Sequence, residues 1–153
     1  MAVERYWEDF AVGQKFESGS VAVTAERIKA FATQFDPQPF HTDESAAAGS
    51  FFGGLVASGW HTAALTMRLL VQSELRVVGG LIGAGLDEVK WPRPVHPGET
   101  LHVVPEVLEV RPLKSRPDRG LVRVRVQTFN QDNELVQTLV ANLFVPRRLR
   151  HDC

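Results

Sequence analysis

Cysteine is almost missing from this 153-residue chain: one occurs, Cys153, at the last position. A lone cysteine builds neither a disulfide framework nor a Cys-based zinc site. It suits a reducing compartment, so the cytoplasm is the expected location. An excess of charge is missing too. Seventeen Lys and Arg stand against eighteen Asp and Glu, a net charge of −1. That leaves no electrostatic reason to expect a nucleic-acid backbone or an anionic membrane surface as a partner. No secretion signal is expected, because the first ten residues carry Glu4, Arg5, Glu8 and Asp9 where a basic start and an apolar run would be needed. The longest stretch without formal charge, Ser45 to Met67, has the length of a membrane span. It is broken by Gly49, Gly53, Gly54, Gly59 and His61, so two segments around a glycine-rich turn explain it better. No internal repeat and no low-complexity linker divides the chain. One domain over residues 1–153 is expected, with its core at about 10–146 and a loose tail at 147–153.

What is present is ordinary globular material, 44% hydrophobic and 23% charged, in a chain long enough to bury a core. Gln14 to Thr24 reads as a strand, with Phe16, Val21 and Val23 apolar. Thr24 then suits the N-cap of a helix over about Ala25–Phe35. Ile28, Phe31, Ala32 and Phe35 recur at i, i+3, i+4 and i+7, one helical face. Pro37 and Pro39 end that helix and favour extended backbone at Asp36 and Gln38. Asp43 to Ala48 reads as a turn or two of helix, and Ser50 to Gly54 as a turn. A longer helix follows from Ser58 or Gly59 to Gln72. Its residues Trp60, Ala63, Ala64, Leu65, Met67, Leu69, Leu70 and Val71 are apolar almost all round, the pattern of a buried helix.

The second half has the other period. Strands are expected over about Gly83–Trp91, Thr100–Val110, Leu121–Asn130 and Leu135–Val145. The third alternates Val122, Val124 and Val126 with Arg123, Arg125 and Gln127, which means one dry face and one wet face. Asp132-Asn133 reads as a tight hairpin turn, and Pro112 to Gly120 as a longer polar one. An antiparallel sheet curling around one helix is an α+β layout. It matches the hotdog arrangement, a long sheet wrapped around a central helix.

The segment with chemistry in it is Phe35-Asp36-Pro37-Gln38-Pro39-Phe40-His41. A carboxylate and an imidazole lie five residues apart on a chain stiffened by two prolines. Rigid presentation of two titratable groups is what general acid–base catalysis needs. Alone, the same spacing also suits a capping Asp and a packing His. The surroundings carry more. Asp36, Pro39 and His41 fall in register with the hydratase motif Gly-Asp-x-Asn-Pro-Leu/Ile-His. Phe40 holds its apolar slot, and Ala47 is the small residue six positions after the His. Phe52-Gly53-Gly54-Leu55-Val56-Ala57-Ser58-Gly59 then opens into the long helix, and Trp91-Pro92-Arg93-Pro94-Val95-His96-Pro97-Gly98-Glu99-Thr100 leads into a strand. Together these resemble the (R)-specific enoyl-CoA hydratases and MaoC-like dehydratases, from about Phe10 to Val145. Three positions depart from the pattern. Phe35 replaces Gly, Gln38 replaces Asn, and Met67, beside Thr66, stands where some relatives have Ser.

The resemblance implies a hotdog fold and reversible syn hydration of a trans-2-enoyl-CoA to an (R)-3-hydroxyacyl-CoA. Asp36 and His41 are then the catalytic pair holding a water. Gly59, at the expected helix N-terminus, has a free N–H at the positive end of the dipole and matches the family's oxyanion donor. A simple turn glycine is the other reading. Ser58, Phe40 and Trp60 are the further candidates for the substrate side. His61 reads as a packing residue, and His96 and His102 as edge or surface residues, so no metal site is expected. The basic run Arg111, Lys114, Arg116 and Arg119 suits either coenzyme A phosphates or a solvated hairpin. The coenzyme A or acyl-carrier-protein thioester is the substrate, and no separate cofactor is implied. An exposed sheet edge argues for a homodimer or higher even oligomer. Two other functions suit the fold. A hotdog thioesterase would want a carboxylate on the central helix, and Trp60 to Gln72 has none. A non-catalytic acyl-CoA binding module would not require both Asp36 and His41.

Overall fold

The structure is a computed structural model that describes residues 3–148. In chain order it has strand β1 (Glu4–Arg5), a single 3-10 turn (Trp7–Asp9), β2 (Ser20–Ala22), and helices α1 (Ala25–Phe35), α2 (Pro39–Thr42), α3 (Glu44–Ala48) and α4 (Gly59–Val71). Strands β3 (Arg76–Val77), β4 (Ile82–Lys90), β5 (Thr100–Pro112), β6 (Arg119–Phe129) and β7 (Leu135–Pro146) follow. Five strands form one sheet in the order β2-β5-β6-β7-β4, every neighbour antiparallel. The β1 and β3 strands make a small parallel pair beside it. This is the expected single hotdog domain. Among the described residues, no helix is long and apolar enough to cross a membrane.

The elements form where nearest-neighbour chemistry demands them. The Thr24 side chain accepts from Arg27 N–H and starts α1. Asp43 does the same for α3 through Ser45 and Ala46. In β6, Val122, Val124 and Val126 are fully buried while Arg123, Arg125 and Gln127 are half-buried. The β6–β7 turn closes because Asn133 takes a left-handed φ of 57°, which Asn tolerates better than most residues. Asn130 Oδ1 accepts the amides of Asp132 and Glu134 beneath it.

Three expectations change. The strand over residues 14–24 is reduced to Ser20–Ala22 plus an isolated bridge between Lys15 and Glu106. Beside β5, the Ser18 hydroxyl takes the Val103 amide, so a side chain replaces a ladder partner. The second change concerns α4. One face is buried, with His61, Thr62, Thr66, Leu69 and Leu70 on it; Thr66 meets the sheet at Thr128 and Gln137, and His61 meets Phe31 of α1. The opposite stripe is open: Trp60 is 60% exposed, Met67 47% and Val71 44%. One five-stranded sheet covers one side of the helix, and nothing among the described residues covers the other.

The tail departs from expectation at its first two residues. Arg147 N–H donates to Asp118 O, and its guanidinium lies over the Trp7 ring. Arg148 pairs with Asp9 and stacks on Tyr6. Residues 149–153, Cys153 included, lie outside the described residues.

Candidate active site

Asp36 terminates α1. Its N–H still donates to Ala32 O, but its own backbone has left the helix. Gln38 remains extended, as the following proline requires. Pro39 then occupies the first position of α2, where a missing N–H is harmless. So the segment expected as a stiff loop is a helix end, a two-residue break and a new helical turn. That turn swings His41 back toward Asp36.

His41 is 5% exposed. Its Nδ1 lies 2.7 Å from the Val56 carbonyl oxygen. A carbonyl only accepts, so Nδ1 carries the proton and donates. Nε2 then faces the Asp36 carboxylate, 3.3 Å from Oδ2. The carboxylate is held from two more sides. Ser58 Oγ donates to Oδ2 at 2.7 Å, and Gln38 Nε2 donates to Oδ1 at 2.6 Å. Burial pushes the Asp36 carboxyl up. The Ser58 and Gln38 hydrogen bonds and the adjacent His41 outweigh that and leave it below its ordinary value of 3.8. Asp36 is therefore an ionised carboxylate at neutral pH.

Ser58 has a second task. Its Oγ accepts the Trp60 amide and caps α4. Gly59 follows in the first helical turn, and no acceptor among the described residues takes its N–H. Gly59 and His41 both line a cleft of about 320 Å³, with Phe51, Phe52, Thr62, Trp91 and Arg93 around it. Asp36 is not in the lining and meets the cleft through His41. A carboxylate–imidazole pair beside a free backbone donor suits proton transfer to and from a bound carbonyl compound.

The other expected substrate residues stand elsewhere. Ser58, fully buried, directs its hydroxyl to Asp36 rather than to the cleft. Phe40 packs edge-on against the His41 ring, 4.6 Å between centroids, and supports it from behind. Trp60 faces the open stripe of α4 and meets Trp91 edge-to-face at 5.4 Å. It lines a separate apolar groove of about 370 Å³ with Ala63, Ala64, Met67 and Leu86. His61 packs as expected, stacked on Phe31 at 4.8 Å. The basic run sits at the Pro112 end of β5, away from the site, with Arg111 on Glu109 and Arg116 on Asp118. Sequence reasoning missed the positioning role of Gln38 and the place of Trp91 in the cleft wall. Gln38 carried a signal, as the residue that departs from the Asn of the motif.

A family model described as "MaoC like domain" matches residues 9–130. Among solved structures, a MaoC-like dehydratase from Rhodospirillum rubrum superposes with a TM-score of 0.91 at 55% identity, over 95% of this chain and 99% of that one. The (R)-hydratase PhaJ1 from Pseudomonas aeruginosa gives 0.75 at 29% identity, over 94% and 86%. Among curated proteins, 3-hydroxyacyl-thioester dehydratase Z of Mycobacterium tuberculosis is 33% identical over 123 residues, 77% of this chain and 78% of its own.

Proposed function

The chain belongs to the MaoC-like domain family, and on that premise we propose that it adds water reversibly to trans-2-enoyl thioesters, giving (R)-3-hydroxyacyl thioesters. One observation carries the reading: the 3.3 Å His41–Asp36 pair adjoins, through His41, a cleft that Gly59 also lines. The substrate carbonyl oxygen accepts from Gly59. A water sits against His41, the member of the pair that lines the cleft, with the Asp36 carboxylate behind it. Its oxygen bonds to C3, its proton passes to the pair, and the C2=C3 π electrons move toward C2 and the carbonyl. A proton from the same pair then reaches C2 on the same face. The carbonyl oxygen gains charge only during the reaction, so a donor fixed there favours the transition state over the ground state. Such a donor typically contributes about 10²–10³ in rate. Neither a metal nor a redox group takes part in this scheme; the carrier thioester is the substrate itself.

We propose the homodimer as the working form. Strand β4 is a sheet edge and is exposed along nearly its whole length, with Ile82 and Leu86 outward. It adjoins the bare stripe of α4 across the apolar groove. A second copy pairing along β4 would cover both the unpaired backbone edge and the groove.

The test is turnover of crotonyl-CoA. Hydration removes the conjugated enoyl absorbance without releasing thiol. Asp36→Asn and His41→Gln are each expected to lose at least about 10²-fold in kcat. Release of free thiol would make the protein a thioesterase, and binding without turnover would make it an acyl-CoA binding module. Full activity in both variants would refute the site.

A further inference from the structure

Gln137 is a polar amide near the start of β7, with no exposed surface. Along its side of the strand the neighbours are Leu139, Ala141 and Leu143. An amide in such a place is unfavourable unless every group is paired. Here it is paired in a line. Trp91 Nε1 donates to Gln137 Oε1 at 2.8 Å, and Gln137 Nε2 donates to Thr66 Oγ1 at 3.0 Å. Thr66 Oγ1 in turn meets Thr128 Oγ1 at 2.6 Å. Thr66 is 2% exposed and Thr128 fully buried. The relay joins β6, β7 and α4 to the segment after β4.

Its outer end is the indole of Trp91, and that ring lies on Gly59. A Cβ placed on Gly59 would stand 2.7–2.9 Å from the Trp91 ring atoms Cε2, Cδ2 and Cζ2. Close backbone approach of this kind is possible only at glycine. The same indole lines the cleft.

A strained backbone feature brings the two partners opposite one another. Asp87 pairs with Val140 but Lys90 pairs with Thr138, three residues against two. The extra residue is a bulge, and within it Glu88 holds a left-handed φ of 54°. Continuing the shifted register places Trp91 opposite Gln137. Without the bulge, Lys90 would stand there. Bulges re-aim side chains next to functional sites, and a non-glycine residue in this region is held against its own preference by its surroundings.

We propose that Trp91 and Gln137 are positioning residues for the Gly59 amide: the relay fixes the indole, and the indole fixes the first turn of α4 where the oxyanion donor sits. This rests on the hydratase reading and deepens it. A helix N-terminus has no intrahelical bond to hold its first amide, and small misplacements at a reacting centre are costly. Neither residue touches the reacting atoms through a polar group.

The experiment is a double-mutant cycle with Trp91→Phe and Gln137→Leu, followed by crotonyl-CoA turnover. Each single variant is expected to lose about tenfold in kcat, with KM changed by less than about twofold. The double variant is expected to be no slower than the slower single one, because both changes break the same hydrogen bond. A general packing defect would instead lower Tm with kcat per folded molecule intact, or give additive losses; either result overturns the proposal. A second measurement does not need turnover. In 15N-labelled protein the Gly59 amide resonance should shift and broaden in both single variants while the β5 amides stay in place. If the wild-type protein leaves crotonyl-CoA unchanged, the hydratase reading fails. The Gly59 resonance then decides the positioning claim alone, and an unmoved resonance refutes it.

Discussion

Ser58→Ala separates the two tasks of one oxygen. The hydroxyl donates to Asp36 Oδ2 and accepts the Trp60 amide. A hydrogen bond to a charged group is typically worth about 1.5–3 kcal/mol. The lower end applies here, because the Asp36 side chain is 18% exposed and keeps the Gln38 donor. Loss of an N-cap costs about 1 kcal/mol more. The variant should therefore be less stable by roughly 2–3 kcal/mol, which lowers Tm by about 5–10 °C in a domain of this size. A carboxylate freed to rotate should also lose about 10–10² in kcat/KM.

The pH dependence distinguishes the carboxylate role from the cap. Burial raises the Asp36 carboxyl, and the Ser58 hydrogen bond is the first of the effects that bring it below 3.8. Removing the hydroxyl must move that carboxyl upward, so the acid limb of kcat/KM moves to higher pH. The sign for stability follows from linkage. A carboxyl depressed in the folded state contributes stability above its unfolded value, and the contribution disappears as pH falls through the folded one. The Tm gap between wild type and Ser58→Ala should therefore narrow as pH drops below about 4, toward the residue left by the cap. Ser58→Gly supplies the control, since Gly serves as an N-cap at a cost of only a few tenths of a kcal/mol. It should share the shifted acid limb while recovering part of the Tm. A gap that stays constant with pH, together with an unmoved acid limb, would show that Ser58 only caps and would refute the argument.

Three further outcomes are expected. At Gly120 an added Cβ would stand 2.2 Å from Trp7 Cδ1, so Gly120→Ala should destabilise by about 1–3 kcal/mol through overpacking, with turnover per folded molecule unchanged; a Tm equal to wild type would contradict the contact. His61 is buried, its Nδ1 has no hydrogen-bond partner among the described residues, and burial, then the nearby Arg27 charge, hold its pKa below 6.5. The unfolded chain binds the proton more readily, so this contribution is complete above pH 6.5 and is lost as pH falls below it. Between pH 7 and 5 the fall in Tm should then be smaller in His61→Phe; equal falls would exclude His61 as a source. Leu86→Arg, on the exposed edge strand, should convert a dimer seen by light scattering at micromolar concentration into a monomer, and a monomeric wild type would end the pairing scheme.

Much of the fold is legible along the chain because it depends on neighbours in sequence. The Thr24 cap and the Pro37 stop delimit α1 at Ala25–Phe35. The valine alternation of β6 sets its dry face, and Asn133 closes the hairpin. The Asp36/His41 spacing marked the proposed catalytic pair for the same reason: one helix end and one proline-led turn place both. The rest depends on approaches between distant segments, which no local period encodes. Ser58 reaches Asp36 across 22 residues, and Trp91 reaches Gln137 across 46. A one-residue bulge at Glu88 decides which side chain meets that glutamine. Composition marked α4 as apolar all round. Only the tertiary structure decided that one face alone of the helix is covered among the described residues, because five strands pack against one face and leave the stripe of Trp60, Met67 and Val71 open.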